Sequence, residues 1–399
     1  MLDHRQLGRE LEIFHQAPLV GAGLPIWLPN GAAIRHAIEG YLYEVERRGG
    51  YQHVYSPPVA KPEMYERSGH LACFRDDMFP AMGEGPDALM LRPSMCPHHA
   101  VVFQSRGRSY RELPLRIGEF GGQYRSERSG VLSGLSRVRS IWLNDGHVFC
   151  APEQAFDELS RVFADVARVH RALGFEAEAF RLSLGGAGGK YVGSAEEWDR
   201  ASALLRDVLV AAGVPFYEKE GEAAFYGPKI DIQIRDVAGR EMSLATIQAD
   251  FVQPERFGLE YVDAGGARRR PLMIHRSLGG GMERLVGHLL EVHQGALPAW
   301  YAPVQLLVLP VGEEQDAAAR RLADAAVRRG LRAQVSFEGS LGLRIRLAAG
   351  QRVPFVAVIG AREAAGDGVS LRRRGGVRLP AMRSAEALEF VAKEAAVPL

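Results

Sequence analysis

The chain has 399 residues, is 47% hydrophobic and 24% charged, and carries a formal net charge of +1. That length suffices for a large buried core and two domains. No run of about eighteen apolar residues suggests a membrane span, the charged N-terminus lacks the apolar core of an export signal, and Cys73, Cys96 and Cys150 are too few and too scattered for a disulfide framework, so the expected location is the cytoplasm and no membrane partner is expected.

Residues 31–48 read as an amphipathic helix, with Ile34, Ile38, Leu42 and Val45 at helical spacing, Asn30 as N-cap and Gly49-Gly50 as the stop. The following YQHVYSPP reads as a strand ending at prolines. Residues 124–150, YRSERSGVLSGLSRVRSIWLNDGHVFC, put Arg125, Glu127, Arg128, Arg137 and Arg139 around a Ser/Gly-rich turn, then Asp145 and His147. Arginine forks flanking a turn suit phosphate oxygens, although an exposed basic hairpin accounts for the same residues. If the end of this segment is a strand, Asp145 and His147 share a face. Residues 152–173 predict a helix with a stripe of Phe156, Leu159, Val162, Phe163, Val166 and Val169, closed by Gly174. Residues 224–235 and 240–251 alternate as paired strands with Gly239 in the turn. Residues 260–271 read as an exposed loop, and HRSLGGGMER then enters an apolar helix over 285–292.

Beyond residues 298–303 the pattern changes. VQLLVLPV reads as a buried strand, followed by a helix at about 313–329, the strand RAQVSF, a helix at about 341–350, the strand PFVAVIG and a hairpin ending in LRRRG. That alternation predicts a small α/β domain with a partly parallel sheet. Its residues, 301–399, hold 15 Lys/Arg against 10 Asp/Glu, a net of +5, leaving 34 against 38, a net of −4, in the rest. An RNA backbone is compatible with that surplus, and so is an arginine-rich solvated surface.

Three residues far apart in sequence, Cys96 in RPSMCPHH, His147 in NDGHVF and His275 in MIHRS, are metal-ligand types without a short ligand spacing. On the residues alone, a buried cysteine and two hydrogen-bonded histidines are the commoner arrangement. The arginine turn, however, resembles motif 2 of the class II aminoacyl-tRNA synthetases, most closely the threonyl-tRNA synthetase family, and GGGMER resembles motif 3. The resemblance covers essentially the whole chain. It implies an α+β class II catalytic domain, an antiparallel sheet flanked by helices, over residues 1–300, then a small α/β anticodon-binding domain over 301–399. It implies a threonine–tRNA ligase that consumes ATP with Mg2+. Arg125 and Arg284 become the catalytic arginines. Arg125 takes the α-phosphate and the substrate carboxylate, Glu127 places adenine, Arg137 takes the γ-phosphate, and Arg284 holds ATP from the other side, its glycines letting backbone approach the nucleotide.

By the same resemblance Cys96, His147 and His275 are ligands of one Zn2+ per subunit, with His98 and His99 as decoys. Zinc with an open position would bind the amino group and hydroxyl of L-threonine, Asp145 would accept from that hydroxyl, and Tyr226 would meet the amino group. Lys229, Thr246 and Gln248 match pocket positions, Lys229 for threonine and Gln248 for ATP. YQHVYSPP matches motif 1, implying a homodimer through the Pro57 region. Arg352, Glu363 and Arg372 match anticodon-contacting positions for tRNA(Thr).

The sequence also departs from the family. It begins where the catalytic domain begins, so a cis-editing domain for seryl-tRNA is not expected in it, and a separate protein would edit in trans. Within residues 140–145, Ile141 stands where a phenylalanine stacks on adenine and Leu143 where a glutamine lies by the carboxylate. Glu338 and Ser340 replace an Asn and a Lys near the anticodon. These changes keep two alternatives open: a paralogue that activates threonine or an analogue for another acceptor, and an inhibitor-resistant second copy. A non-catalytic RNA-binding paralogue fits poorly with intact arginines and an intact triad.

Overall fold

The architecture is that of a computed structural model, which describes residues 1–187 and 191–399. These residues group into two compact units. One comprises Pro18–Leu24 and Leu42–Leu285, the other Met1–Ala17, Pro25–Tyr41 and Val286–Leu399.

The first unit is built on an eight-stranded sheet. From one edge to the other its strands are Gln52–His53, Leu115–Tyr124, Ser140–Cys150, Leu272–Gly281, Glu241–Asp250, Lys229–Arg235, Ala179–Leu184 and Phe216–Glu220. The two edge strands pair in parallel and every pair between them is antiparallel. The register aligns Ile117, His147, His275, Gln248 and Lys229 in one cross-strand row. Side chains directly opposite in an antiparallel ladder share a face. His147, His275, Gln248 and Lys229 therefore project together, and Glu119, Asp145, Thr246 and Asp250, each two residues along a strand, join them.

The other face is covered by the helix Ala155–Leu173. Leu159, Val162, Val166 and Val169 of its stripe are buried, and Gly174 caps it at φ 88°. Phe156 is an exception: it is exposed, although Ala155 and Leu159 of the same turn are buried. Arg116, on this face, donates to Glu158 at 2.7 Å.

A buried charge network lies on the same side. Arg276 ion-pairs with Glu46 and donates to Asn144 Oδ1 at 3.2 Å, while Asn144 donates to Glu46 at 2.8 Å and His53 meets Glu46 at 2.6 Å. Arg276 also sits over the Tyr51 ring, 4.3 Å from its centroid. Burial pushes the Glu46 carboxyl up, but the Arg276 charge and the hydrogen bonds from His53 and Asn144 outweigh it and hold the group below its usual value. Gly146 makes room for this pair, since a Cβ there would lie 2.3 Å from the guanidinium carbon of Arg276. That guanidinium is pinned, so Gly146→Ala is expected to cost about 3–5 kcal/mol, the cost of disrupting a buried pair. Urea unfolding checks this; a loss under about 1 kcal/mol would mean that the pair repacks freely.

In the second unit a five-stranded sheet runs in the order Ala333–Val335, Leu306–Pro310, Phe355–Ile359, Gly368–Arg373, Met382–Arg383. The first three are parallel and the last two antiparallel, as the alternation predicts. Leu306, Val308, Ala319, Leu322, Phe355, Ala357, Leu371, Leu388 and Val391 form its core. The helix Pro29–Arg48 starts one residue before Asn30. Asn30 is therefore not its N-cap; its side-chain amide donates to Leu11 O at 2.9 Å instead. No helix of the described residues is long and apolar enough to cross a membrane.

Candidate active site

The sheet's first-named face floors a cavity of about 440 Å³, lined by Arg125, Glu127, Arg137, Ile141, Leu143, Asp145, Tyr226, Lys229, Thr246, Gln248, His275 and Arg284 among others. Every residue predicted to contact ATP or threonine thus lines one cavity. Cys96 and His147 lie buried beneath, at 1% exposure each.

At one end, Cys96, His147 and His275 each present a ligand atom within 4.8 Å of the others. Cys96 opens the helix Cys96–Gln104, which packs over the sheet through Ala100 and Phe103. His147 Nε2 lies 3.1 Å from His275 Nδ1. Two nitrogens bound to one tetrahedral zinc at about 2.0–2.1 Å would be about 3.3 Å apart, so the spacing suits such an ion. The other nitrogens are engaged: His275 Nε2 with Asp250 Oδ2 at 2.7 Å, and His147 Nδ1 with His99 Nδ1 at 2.7 Å. Burial holds His147 well below its usual pKa, hence neutral as a ligand must be. Burial likewise pushes the Cys96 thiol up; a cation would reverse that by stabilising the thiolate. The Tyr226 ring stacks on His275 at 4.8 Å and 18°. Asp145, pushed up by burial, accepts from Gln123 at 3.3 Å.

The opposite end is cationic. Arg137 pairs with Glu127 at 2.8 Å. Among the described residues no carboxylate lies within ion-pair distance of Arg125 or Arg284. Arg125 lies over Phe74, 5.8 Å from the ring centroid, and Arg284 donates to the carbonyl oxygens of Ser136, at 2.9 Å, and Ser243. The Arg284 guanidinium is held below its usual pKa by burial first and then by the charges of Arg125 and Arg137. Three guanidiniums facing one already paired carboxylate form a site for a polyanion. Gly280 has φ +71° and a Cβ there would lie 1.8 Å from Leu244 O, so the neighbouring strand requires it.

His70, Phe74, Phe225, Asp231 and Ser243 also line the cavity, and sequence reasoning passed over all of them. His70 is buried, bonded through Nδ1 to Ser68 Oγ at 2.8 Å, and held near pKa 3, chiefly by burial, so it is neutral at physiological pH. Glu119 and Asp250 were missed too. Their signal was register: each sits two residues from a member of the histidine row, which only the strand pairing reveals.

In the second unit, Arg352 lines a separate cavity of about 650 Å³ with Glu338 and Arg344. Arg372 and Glu363 lie elsewhere. Arg372 is on the strand Gly368–Arg373, and Glu363 Oε2 accepts from Gly360 N at 3.1 Å, capping the short helix Ala361–Gly366. Ser340 caps the helix Leu341–Gly350 by accepting from Leu343 N at 3.3 Å.

A mixed sheet with an antiparallel centre, arginines at one end of its cavity and a Cys/His/His cluster at the other, is the architecture of a class II synthetase core. The family model for the tRNA synthetase class II core domain (G, H, P, S and T) matches residues 80–293, and that for the anticodon binding domain matches 305–394. The chain belongs to the class II tRNA synthetase family. Within it, the chain is 47% identical over 376 residues to the threonine–tRNA ligase of Rubrobacter xylanophilus, covering 94% of this chain and 59% of that one. It is 43% identical over 397 residues to the threonine–tRNA ligase of Halalkalibacterium halodurans, covering 98% and 62%. The crystal structure of the RNA binding domain of threonyl-tRNA synthetase from Cryptosporidium parvum superposes with a TM-score of 0.93 at 31% identity, covering 100% of this chain and 99% of that one. The chain spans about 60% of the length of the curated relatives it matches.

Proposed function

We propose that the chain is a threonine–tRNA ligase, which joins L-threonine to ATP as threonyl-adenylate and transfers the threonyl group to tRNA(Thr). The observation that carries this reading is a single cavity with uncompensated arginines at one end and a buried Cys/His/His cluster at the other. A carboxylate oxygen of threonine, held beside Arg125, attacks the α-phosphorus of ATP; the bond to the β-phosphate breaks and pyrophosphate leaves. Arg125 and Arg284 oppose the charge that builds on the phosphoryl oxygens, with Arg137 on the γ-phosphate, Glu127 and Gln248 on the nucleotide, and Mg2+ accompanying ATP. A ribose hydroxyl of the tRNA terminus then attacks the acyl carbon and AMP departs.

Cys96, His147 and His275 fit Zn2+ in donor type, spacing and protonation, and bound zinc would offer an open position to the amine and hydroxyl of threonine. Tyr226, stacked on His275, and Lys229, paired with Asp231 at 3.0 Å, border the space for the amino acid, and Asp145 accepts from its hydroxyl. His99 is not a ligand in this reading, since it stands behind His147.

We assign the catalytic domain to residues 1–300 and the anticodon-binding domain to 301–399; the two family matches lie on either side of residue 300. Arg352, Glu363 and Arg372 are the proposed anticodon contacts. Arg352→Ala is expected to lower tRNA charging by about 1–3 kcal/mol, roughly 5–150-fold in kcat/KM, without affecting pyrophosphate exchange. Equal losses in both assays would mean that Arg352 serves the fold. A homodimer through the Pro57 region, a cytoplasmic location and a trans-editing partner complete the reading; Tyr55, two residues from Pro57, is 89% exposed in the single chain. Aminoacylation of tRNA(Thr) by the purified chain tests the whole: charging with threonine supports it, and threonine activation without charging would favour another acceptor.

A further inference from the structure

His98 and His99 follow Cys96 in the sequence, and either has the right chemistry to bind metal. The geometry separates them. His99 Nδ1 is 2.7 Å from His147 Nδ1, on the far side of the His147 ring from the ligand cluster. His99 Nε2 is 3.2 Å from Glu119 Oε2. Glu119 is in turn fixed by Ser56 Oγ, which donates to Oε2 at 2.6 Å, and by Arg92, which donates to Oε1 at 3.0 Å. All of His99, Glu119 and Arg92 are buried, at 0%, 2% and 2% exposure.

The protons along this chain follow from its end. Glu119 receives three other donors, Ser56 N, Ser56 Oγ and Arg92, and is an acceptor toward His99, so the proton of a neutral His99 sits on Nε2. Its Nδ1 is then an acceptor, which requires His147 to carry its proton on Nδ1. That leaves the lone pair of His147 Nε2 facing the lone pair of His275 Nδ1, whose own tautomer is set by Asp250. The two inner ligands are thus oriented by two different devices: a carboxylate directly for His275, and a carboxylate acting through an imidazole for His147.

We propose that His99 and Glu119 are positioning residues that hold His147 in the tautomer and orientation required to bind a divalent cation, and so set the zinc affinity of the site. This rests on the zinc part of the function proposed above. Partners of metal-bound histidines typically contribute 10–100-fold to affinity. The effect of His99 depends on where its acceptor atom is, which a packing role would not.

Two amide substitutions separate these roles. In His99→Asn the side-chain oxygen can occupy the place of Nδ1 and accept from His147; in His99→Gln the amide reaches the place of Nε2 and leaves His147 Nδ1 unpaired. Zinc affinity, measured by competition with a chromophoric chelator, is expected to stay near wild type in His99→Asn and to fall about 10–100-fold in His99→Gln. The visible spectrum of the Co2+-substituted chain is expected to change in His99→Gln alone. Equal affinity in all three chains, or equal losses in the two variants, would overturn the inference. A wild-type chain that binds no zinc would overturn it together with the zinc reading, whereas one that binds zinc but activates no threonine would sink the ligase reading and leave this inference standing.

Discussion

Arg125→Ala is expected to slow threonine-dependent ATP–pyrophosphate exchange by about 10²–10³-fold, the loss seen when one preorganised donor to a transition-state anion is removed. The reason is electrostatic. Among the described residues Arg125 and Arg284 enter the cavity with no carboxylate in ion-pair distance, and the pKa of Arg284 is lowered by burial first and then by the charges of Arg125 and Arg137. That unfavourable arrangement is relieved only by bound phosphate and most fully when charge accumulates at the reacting phosphorus. The loss should therefore fall mainly on kcat. Arg137, half-exposed and paired with Glu127, should behave differently, its alanine variant chiefly raising KM for ATP. A loss below about tenfold in kcat/KM for Arg125→Ala would remove the arginine from the reacting centre.

The second large effect concerns the choice of amino acid. Valine has the shape of threonine but no hydroxyl, and a site built to bind a hydroxyl can reject such an analogue by about 10⁴–10⁵-fold, whereas a difference of one methyl group is worth only about 10–200-fold. Threonine is therefore expected to be activated far better than valine, but serine only about 10–200-fold less well than threonine. Stripping metal with a chelator, or substituting Cys96→Ala, should abolish most threonine activation and collapse the preference over valine; added zinc should restore the stripped chain and not the variant. Circular dichroism separates this from misfolding. Seryl-tRNA made by these 399 residues is expected to persist, and its rapid deacylation by the purified chain would contradict this. A valine preference unchanged by metal removal would locate selectivity elsewhere in the cavity.

Much of this site was legible in the sequence because its chemistry is carried by residue types in motifs. The Asp145/His147 pair needs only a strand to share a face, and the Ser140–Cys150 strand provides it. The helix read over 152–173 followed from apolar spacing and a closing glycine, and it forms over Ala155–Leu173. What escaped was long-range. Nothing in the sequence near Asp250 or Glu119 marks them as partners of His275 and His99; they meet through strand register and through a helix crossing the sheet. His99 itself read as a decoy because adjacent histidines cannot be told apart until one ring is seen to face Glu119. Asn30 was misassigned because a cap residue and a residue in the first turn of a helix look alike in sequence, and its amide donates to Leu11 O, nineteen residues away. Residues 260–271, read as an exposed loop, hold the short paired strands Tyr261–Val262 and Arg268–Arg269, which carry too few residues for a period to be read.

The departures at 140–145 gain a physical meaning from the register. Ile141 and Leu143 lie on the same face as Asp145 and line the cavity between its arginine end and its Cys/His/His end. They make an apolar wall where ATP and amino acid would meet, leaving the arginines and the Cys/His/His cluster in place on either side. Substrate chemistry is therefore expected to follow the family, with altered affinity for compounds that span that wall.

Pyrophosphate exchange by the metal-replete chain with threonine, serine and valine in parallel tests the central claim most directly. Rapid exchange with threonine, slower exchange with serine and almost none with valine is the predicted result. Exchange with valine at a rate near that of threonine, or with none of the three, would contradict it.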